Sequence, residues 1–266
     1  MSEILPNQPR PPQQENSSGN GTSPAQPRQV RVSFQPRDKR PLVSWILLGV
    51  TVFIYILQVL SENLFGTDLL LLYGAKINEL IYQGQVWRLI TPMFLHGSLM
   101  HIAFNMYALY VIGPGLELYY GHLRFLVLYL VAGFAGNVLS LVFTSSASLG
   151  ASTAIFGLIA AQGIFIYRNK LLFGKRTKSM LTNIVMIVVV NLILGLQPGI
   201  DNWGHLGGLL GGALFAWFSG PEFAIKQESW GLALENKRTN DETWRTLILT
   251  AVLFSAIALV KIMLFQ

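Results

Sequence analysis

Apolar residues dominate long runs of this 266-residue chain. From Pro41 onward seven such runs recur, at about 42–60, 99–116, 123–143, 152–168, 180–196, 203–218 and 246–265. A helix needs about 20 largely apolar residues to cross a bilayer, and fewer where neighbours shield it. The pattern therefore predicts seven membrane-crossing helices. Between the first two lies a long mixed stretch, 61–98, carrying Glu62, Asp68, Lys76, Glu79, Trp87 and Arg88. It reads as partly helical and interfacial, since aromatic residues anchor well at that depth. Residues 1–40 are rich in Pro, Gln, Asn, Ser and Gly. Such a stretch cannot bury enough apolar surface to offset its ordering entropy, so a disordered tail is expected there. It lacks the apolar core of a signal peptide. Residues 219–245 read as a polar connector leading to a last helix over 246–266.

Composition agrees with lipid as the solvent. The chain is 52% hydrophobic and 12% charged, against about a quarter charged in an average soluble domain. The net charge of +6 raises nucleic acid as a partner, but the basic residues form no single face or stripe. They sit in loops on alternate sides. Arg10, Arg28, Arg31, Arg37, Lys39 and Arg40 lie in the tail; Arg168, Lys170, Lys175, Arg176 and Lys178 follow the fourth run; Lys226, Lys237, Arg238 and Arg245 follow the sixth. The intervening loops carry only Lys76 and Arg88. Basic loops face the cytoplasm. The expectation is a multi-pass protein of the cell membrane, N-terminus inside and C-terminus outside. Helices two, four and six then all start at the outer face. Cysteine is absent, which removes disulfides, thiolate metal sites and a cysteine nucleophile.

Polar residues inside membrane helices are costly and point to function. Here they are few. His101 and Asn105 open the second helix, Ser152 opens the fourth, and His205 opens the sixth. By the predicted topology all four lie at one depth, in the outer half of the bilayer. The set suits acyl transfer. A serine hydroxyl must give its proton to a neighbouring base, and imidazole titrates near neutrality. No helix supplies an acid to orient His205, since Asp201 falls in a loop; a Ser-His dyad without a third member is expected. His101 and Asn105, four apart, share a helix face and can both donate to a tetrahedral oxyanion. Ser152 at a helix N-terminus adds free backbone N–H groups. The glycines at 204, 207, 208, 211 and 212, with Ala151, Gly157, Ala160 and Ala161, form small-residue stripes. Such stripes let two membrane helices approach closely. Phe156, one turn after Ser152, is expected beside the His205 ring.

In order and spacing these residues resemble the rhomboid signature: Trp87-Arg88, His96 to His101 with Asn105, Gly150-Ala151-Ser152, and Gly204-His205 followed by Gly207-Gly208. The resemblance covers about 42–218. It implies an all-α membrane protein, a six-helix transmembrane bundle over 41–218 with one extra C-terminal transmembrane helix. It also implies a serine endopeptidase of single-span membrane proteins, with Ser152 as nucleophile, His205 as base, and His101 and Asn105 in the oxyanion hole. Neither cofactor nor metal is implied; the partners are transmembrane substrates and the lipid bilayer. Thr153 and Phe156 stand where well-studied members have Gly and Tyr. Glu117 matches a Glu-x-Arg pair, but Tyr119 takes the place of Arg.

Other readings attach to the same residues. Ser152 could be a helix N-cap, His101 a packed helix residue, and His96 an interface or first-loop residue. His122, beside Arg124, reads as structural, and Trp87 with Arg88 as anchors of the first loop. His96, His101 and His205 could together form a metal site, although no H-E-x-x-H pattern exists. An inactive rhomboid-like escort or a transporter are the rivals outside catalysis.

Overall fold

The computed structural model describes residues 40–228 and 231–265. The expected tail lies outside these except for Arg40. All seven apolar runs are helical. They are α1 (Leu42–Phe65), α4 (Leu99–Tyr120), α5 (His122–Phe143), α6 (Ser152–Arg168), α8 (Thr177–Leu194), α9 (Asn202–Ser219) and α10 (Asn240–Met263). Among the described residues five stretches are long and apolar enough to cross a membrane: α1, α4, α5, Lys170–Leu194 and α10. The 17-residue α6 and the glycine-rich α9 are the central helices, each packed on α5 and on the other. Their neighbours supply the shielding, so they need less length and less apolar surface.

The mixed stretch after α1 folds as expected into short pieces: α2 (Leu69–Gly74), α3 (Asn78–Tyr82) and two 3-10 turns, Val86–Leu89 and Thr91–Phe94. Trp87 and Arg88 tie it together. Buried Arg88 donates to the carbonyls of Ala75 (2.7 Å) and Leu72 (2.8 Å), and Trp87 Nε1 donates to Tyr73 O (3.0 Å). The orphan carbonyls at the end of α2 are thus satisfied by side chains. After α6 comes the short α7 (Lys170–Phe173) and a 3-10 turn.

Glu117 has a defined task even without the arginine. Its carboxylate accepts from Val43 N (2.8 Å), Ser44 N (2.7 Å) and Ser44 Oγ (2.6 Å). The first turn of α1 has no local side-chain cap, so an acid from α4 serves as one, at the positive end of the helix dipole. His122 Nδ1 lies 2.5 Å from the same carboxylate, as its structural reading anticipates. Tyr119 instead packs its ring 4.6 Å from that of Phe165.

Two expectations need correcting. The connector over 219–245 is not merely a polar link: β1 (Phe223–Glu228) and β2 (Gly231–Asn236) pair as an antiparallel hairpin, Phe223 opposite Asn236. The bundle is all-α but for this appendage. The last helix also starts at Asn240 rather than 246. Thr239 and Glu242 close a reciprocal capping box there, a local signal that a search for apolar runs passes over. Arg124 then donates to Thr243 Oγ1 (2.7 Å) and to the carbonyls of Arg238 (2.9 Å) and Thr239 (2.6 Å), docking the start of α10 on α5.

Candidate active site

The centre of the bundle is built from backbone contact. A Cβ on Gly208 would fall 1.9 Å from the Thr153 carbonyl oxygen, and one on Gly212 would fall 2.4 Å from Gly157 Cα. On the α5 side, a Cβ on Gly207 would fall 2.6 Å from Ala135 O. Only glycine permits α5, α6 and α9 to approach this closely. That approach brings the start of α6 against the start of α9.

Ser152 is the first residue of α6, and Ala151 holds the cap position. The hydroxyl is therefore not a helix cap. It lies 3.0 Å from His205 Nε2. The Phe156 ring stacks on the imidazole, centroids 4.2 Å apart and planes 8° from parallel. His205 Nδ1 has no hydrogen-bond partner among the described residues. Asp201, the acid closest in sequence, is committed elsewhere. Its carboxylate accepts from Gly204 N (2.9 Å), Thr144 Oγ1 (3.3 Å) and the Ser140 hydroxyl, capping α9 and tying it to the end of α5. Burial opposes its ionisation, but the bonds from Ser140, Gly204 and Ser148 and the nearby Lys76 charge hold it below the usual carboxylate range.

His101 sits in the first turn of α4 with its ring against Gly150. That glycine has φ +122°, and a Cβ there would fall 2.7 Å from His101 Nε2. Gly150 thus provides both the left-handed turn before Ser152 and the space for the imidazole. Asn105 is one turn further along α4, buried, with Nδ2 donating to His101 O at 2.9 Å. His101, Ser152 and His205 share one cavity of about 500 Å³, also lined by Phe104, Thr153 and Asp201; Asn105 is not in its wall. A short amide readily bonds the carbonyl four residues back in its own helix.

Two supports escaped the sequence reading. His96 lies in the first loop, as one reading had it, and is buried there. The Gln58 amide clasps the His96 backbone (3.0 and 3.2 Å), and His96 Nε2 accepts from Ala151 N at 3.4 Å, directly under the Ser152 turn. Burial, helped by neighbouring His101, pushes His96 down to about 3, so it is neutral. Its ring packs edge-to-face on that of His101, centroids 5.0 Å apart. Among the described residues no three His, Cys, Asp or Glu side chains are grouped to hold a metal. Lys76 is the second support. Its backbone pairs with Ser148 (3.0 Å both ways), and its Nζ donates to Thr144 O (2.8 Å) and Ser146 O (3.0 Å). Burial lowers it to about 8 despite Asp201 and Glu79. It pins the loop that leads into Ser152. A lone lysine in a mixed segment gives no sequence signal of this role.

An all-α membrane bundle with a serine and a histidine meeting at the ends of two glycine-packed helices defines a narrow class. Residues 83–222 match the Rhomboid domain. The chain belongs to the rhomboid family and is an integral membrane protein. It is 39% identical over 177 residues to Rhomboid protease GluP of Bacillus subtilis (strain 168), covering 66% of this chain and 34% of that protein. It is 34% identical over 194 residues to Rhomboid protease AarA of Providencia stuartii, covering 64% of this chain and 69% of that protein. With RHOMBOID-like protein 9, chloroplastic, of Arabidopsis thaliana the identity is 34% over 181 residues, 68% of this chain and 42% of that protein. The match thus spans well under half the length of the Bacillus and Arabidopsis relatives.

Proposed function

We propose that this chain is an intramembrane serine endopeptidase that cuts single-span membrane proteins within or near the outer end of their transmembrane helix. The observation that carries the reading is the 3.0 Å contact between Ser152 Oγ and His205 Nε2 inside a cavity. Two relatives named as rhomboid proteases support it.

Ser152 Oγ attacks the scissile carbonyl carbon while His205 Nε2 takes the hydroxyl proton. The tetrahedral oxyanion accepts from His101, from the Ser152 backbone N–H and from Asn105, whose amide turns from His101 O toward it. Losing one such donor typically costs about 3–4 kcal/mol of barrier. His205 returns its proton to the leaving amine as the C–N bond breaks. Water, deprotonated by the same imidazole, then hydrolyses the acyl-serine ester and restores Ser152. The pair works as a dyad because Asp201 spends its acceptors on Ser140, Thr144 and Gly204. Phe156 holds the base ring by stacking where a tyrosine hydroxyl is absent.

The orientation is N-terminus in the cytoplasm and the cavity outward, with six helices over 41–218 and a seventh, α10, crossing back. An intact membrane helix hides its carbonyls in its own hydrogen bonds. Substrates therefore carry Gly, Pro or polar residues near the cut, and they unwind there before reaching Ser152.

The test is cleavage of a single-span substrate by purified protein in detergent. Ser152→Ala and His205→Ala should each lower the rate by at least about 10³-fold while the substrate still binds. A fluorophosphonate should label Ser152 and fail to do so after His205→Ala. Cleavage retained by either variant overturns the mechanism.

A further inference from the structure

The end of the bundle opposite Ser152 carries a second feature that the proposed chemistry does not use. A groove of about 830 Å³ runs from the last turn of α6 and α7 along the first turns of α8. Lys170, Lys175 and Lys178 stand at its rim, all exposed. Among the described residues, none of the three amino groups has an ion-pair or hydrogen-bond partner. No Asp or Glu occurs between Ser152 and Asp201, so no acid from this stretch can neutralise them. Arg168, by contrast, is taken up by Glu222 (3.2 Å) and the Trp217 ring.

Further along α8 the groove becomes apolar, with Leu181 and the exposed Val185 and Met186. Lys178 and Met186 are eight residues apart on α8, about 12 Å along its axis. Cationic rim and apolar wall therefore follow one another along a membrane helix, in the order of a phospholipid headgroup and its acyl chains. The position of the lysines on the basic side of the molecule alone would explain their sign. It would not explain why they border a groove that continues as an apolar face along α8. Basic pockets between helices at this depth suit anionic headgroups.

We propose that this groove is a binding site for one anionic glycerophospholipid of the adjoining leaflet. Its phosphate lies among Lys170, Lys175 and Lys178, and an acyl chain lies along Leu181, Val185 and Met186. The bound lipid bridges α7 and α8, neither of which has a buried residue among those described. This rests on membrane insertion of the bundle and not on its catalytic chemistry.

Native mass spectrometry of the full chain in detergent tests it, with dioleoyl phosphatidylglycerol, dioleoyl phosphatidylcholine and glycerol 3-phosphate as probes. Phosphatidylglycerol should bind about tenfold more tightly than phosphatidylcholine. The triple variant K170Q/K175Q/K178Q should erase that preference, and K170R/K175R/K178R should keep it. Thr182→Trp, which fills the groove and leaves the charges in place, should weaken retention of phosphatidylglycerol. The paired hairpin variant K226Q/K237Q, at the same end of the molecule, should leave the preference intact. The proposal is overturned if the triple glutamine variant keeps the preference or if the hairpin variant lowers it equally. It is also overturned if glycerol 3-phosphate competes as well as the whole lipid, which would mark a phosphate site.

Discussion

The helices α6 and α8 are neighbours, yet one is locked and the other almost free. Along α6, contact with α9 is backbone to backbone, through Gly157, Gly208 and Gly212. Most of α6 is buried; among the described residues none of α8 is. The difference follows the chemistry. In the proposed mechanism Ser152 and His205 come from separate helices and must meet at hydrogen-bond distance, which a close backbone contact between those helices provides. The proposed mechanism uses no residue of α8, and its packing against α6 is side chain on side chain. Close packing is concentrated where the two helices carry the proposed pair and falls away one helix further on.

The contrast is open to direct attack, beginning with the largest effect. Gly208→Ala puts a methyl 1.9 Å from the Thr153 carbonyl, where neither backbone can yield. The variant should exceed the about 1–3 kcal/mol typical of overpacking, seen as loss of folded protein on thermal unfolding and loss of Ser152 labelling. Gly150→Ala acts more locally. It strains a φ of +122° and displaces the His101 ring. The fold should survive while cleavage falls about 10²-fold, the effect of a small misplacement at a reacting centre. Glu117→Gln removes the charge that caps α1 from across the bundle. Stability should drop by about 1–3 kcal/mol, with cleavage at low temperature unchanged. Gly163→Ala is the smallest. Its methyl would meet Ile184 of α8 at 3.5 Å, an ordinary contact. Thermal unfolding should show no loss and even a gain of about 0.5–1 kcal/mol from helix propensity. A Gly163→Ala variant as damaged as Gly208→Ala would erase the distinction between the two faces of α6.

The helices were legible because each is a long, mostly apolar run in a chain with few charges. Ser152, His205 and His101 stood out because polar groups are scarce in such runs. Less legible were the groups that act by position alone. Lys76 and His96 are ordinary polar residues in a mixed segment; their work lies in contacts with Thr144, Ser146 and Ala151, more than fifty residues away. The hairpin after α9 was missed because short alternating strands vanish beside long apolar runs. The capping box at Thr239 was local and readable, yet the apolar run begins later and drew the boundary with it.

Sequence by itself determined the solvent, the helices, the family and the residues that could react, because each depends on composition, spacing or local order along the chain. Only the tertiary structure decided that Ser152 meets His205 at 3.0 Å, that Asp201 serves α9 and α5 instead of the imidazole, and that Asn105 rests on its own helix. Those outcomes depend on how close α5, α6 and α9 can come. Whether a glycine faces another backbone or open lipid is a property of the packed bundle and not of the residue.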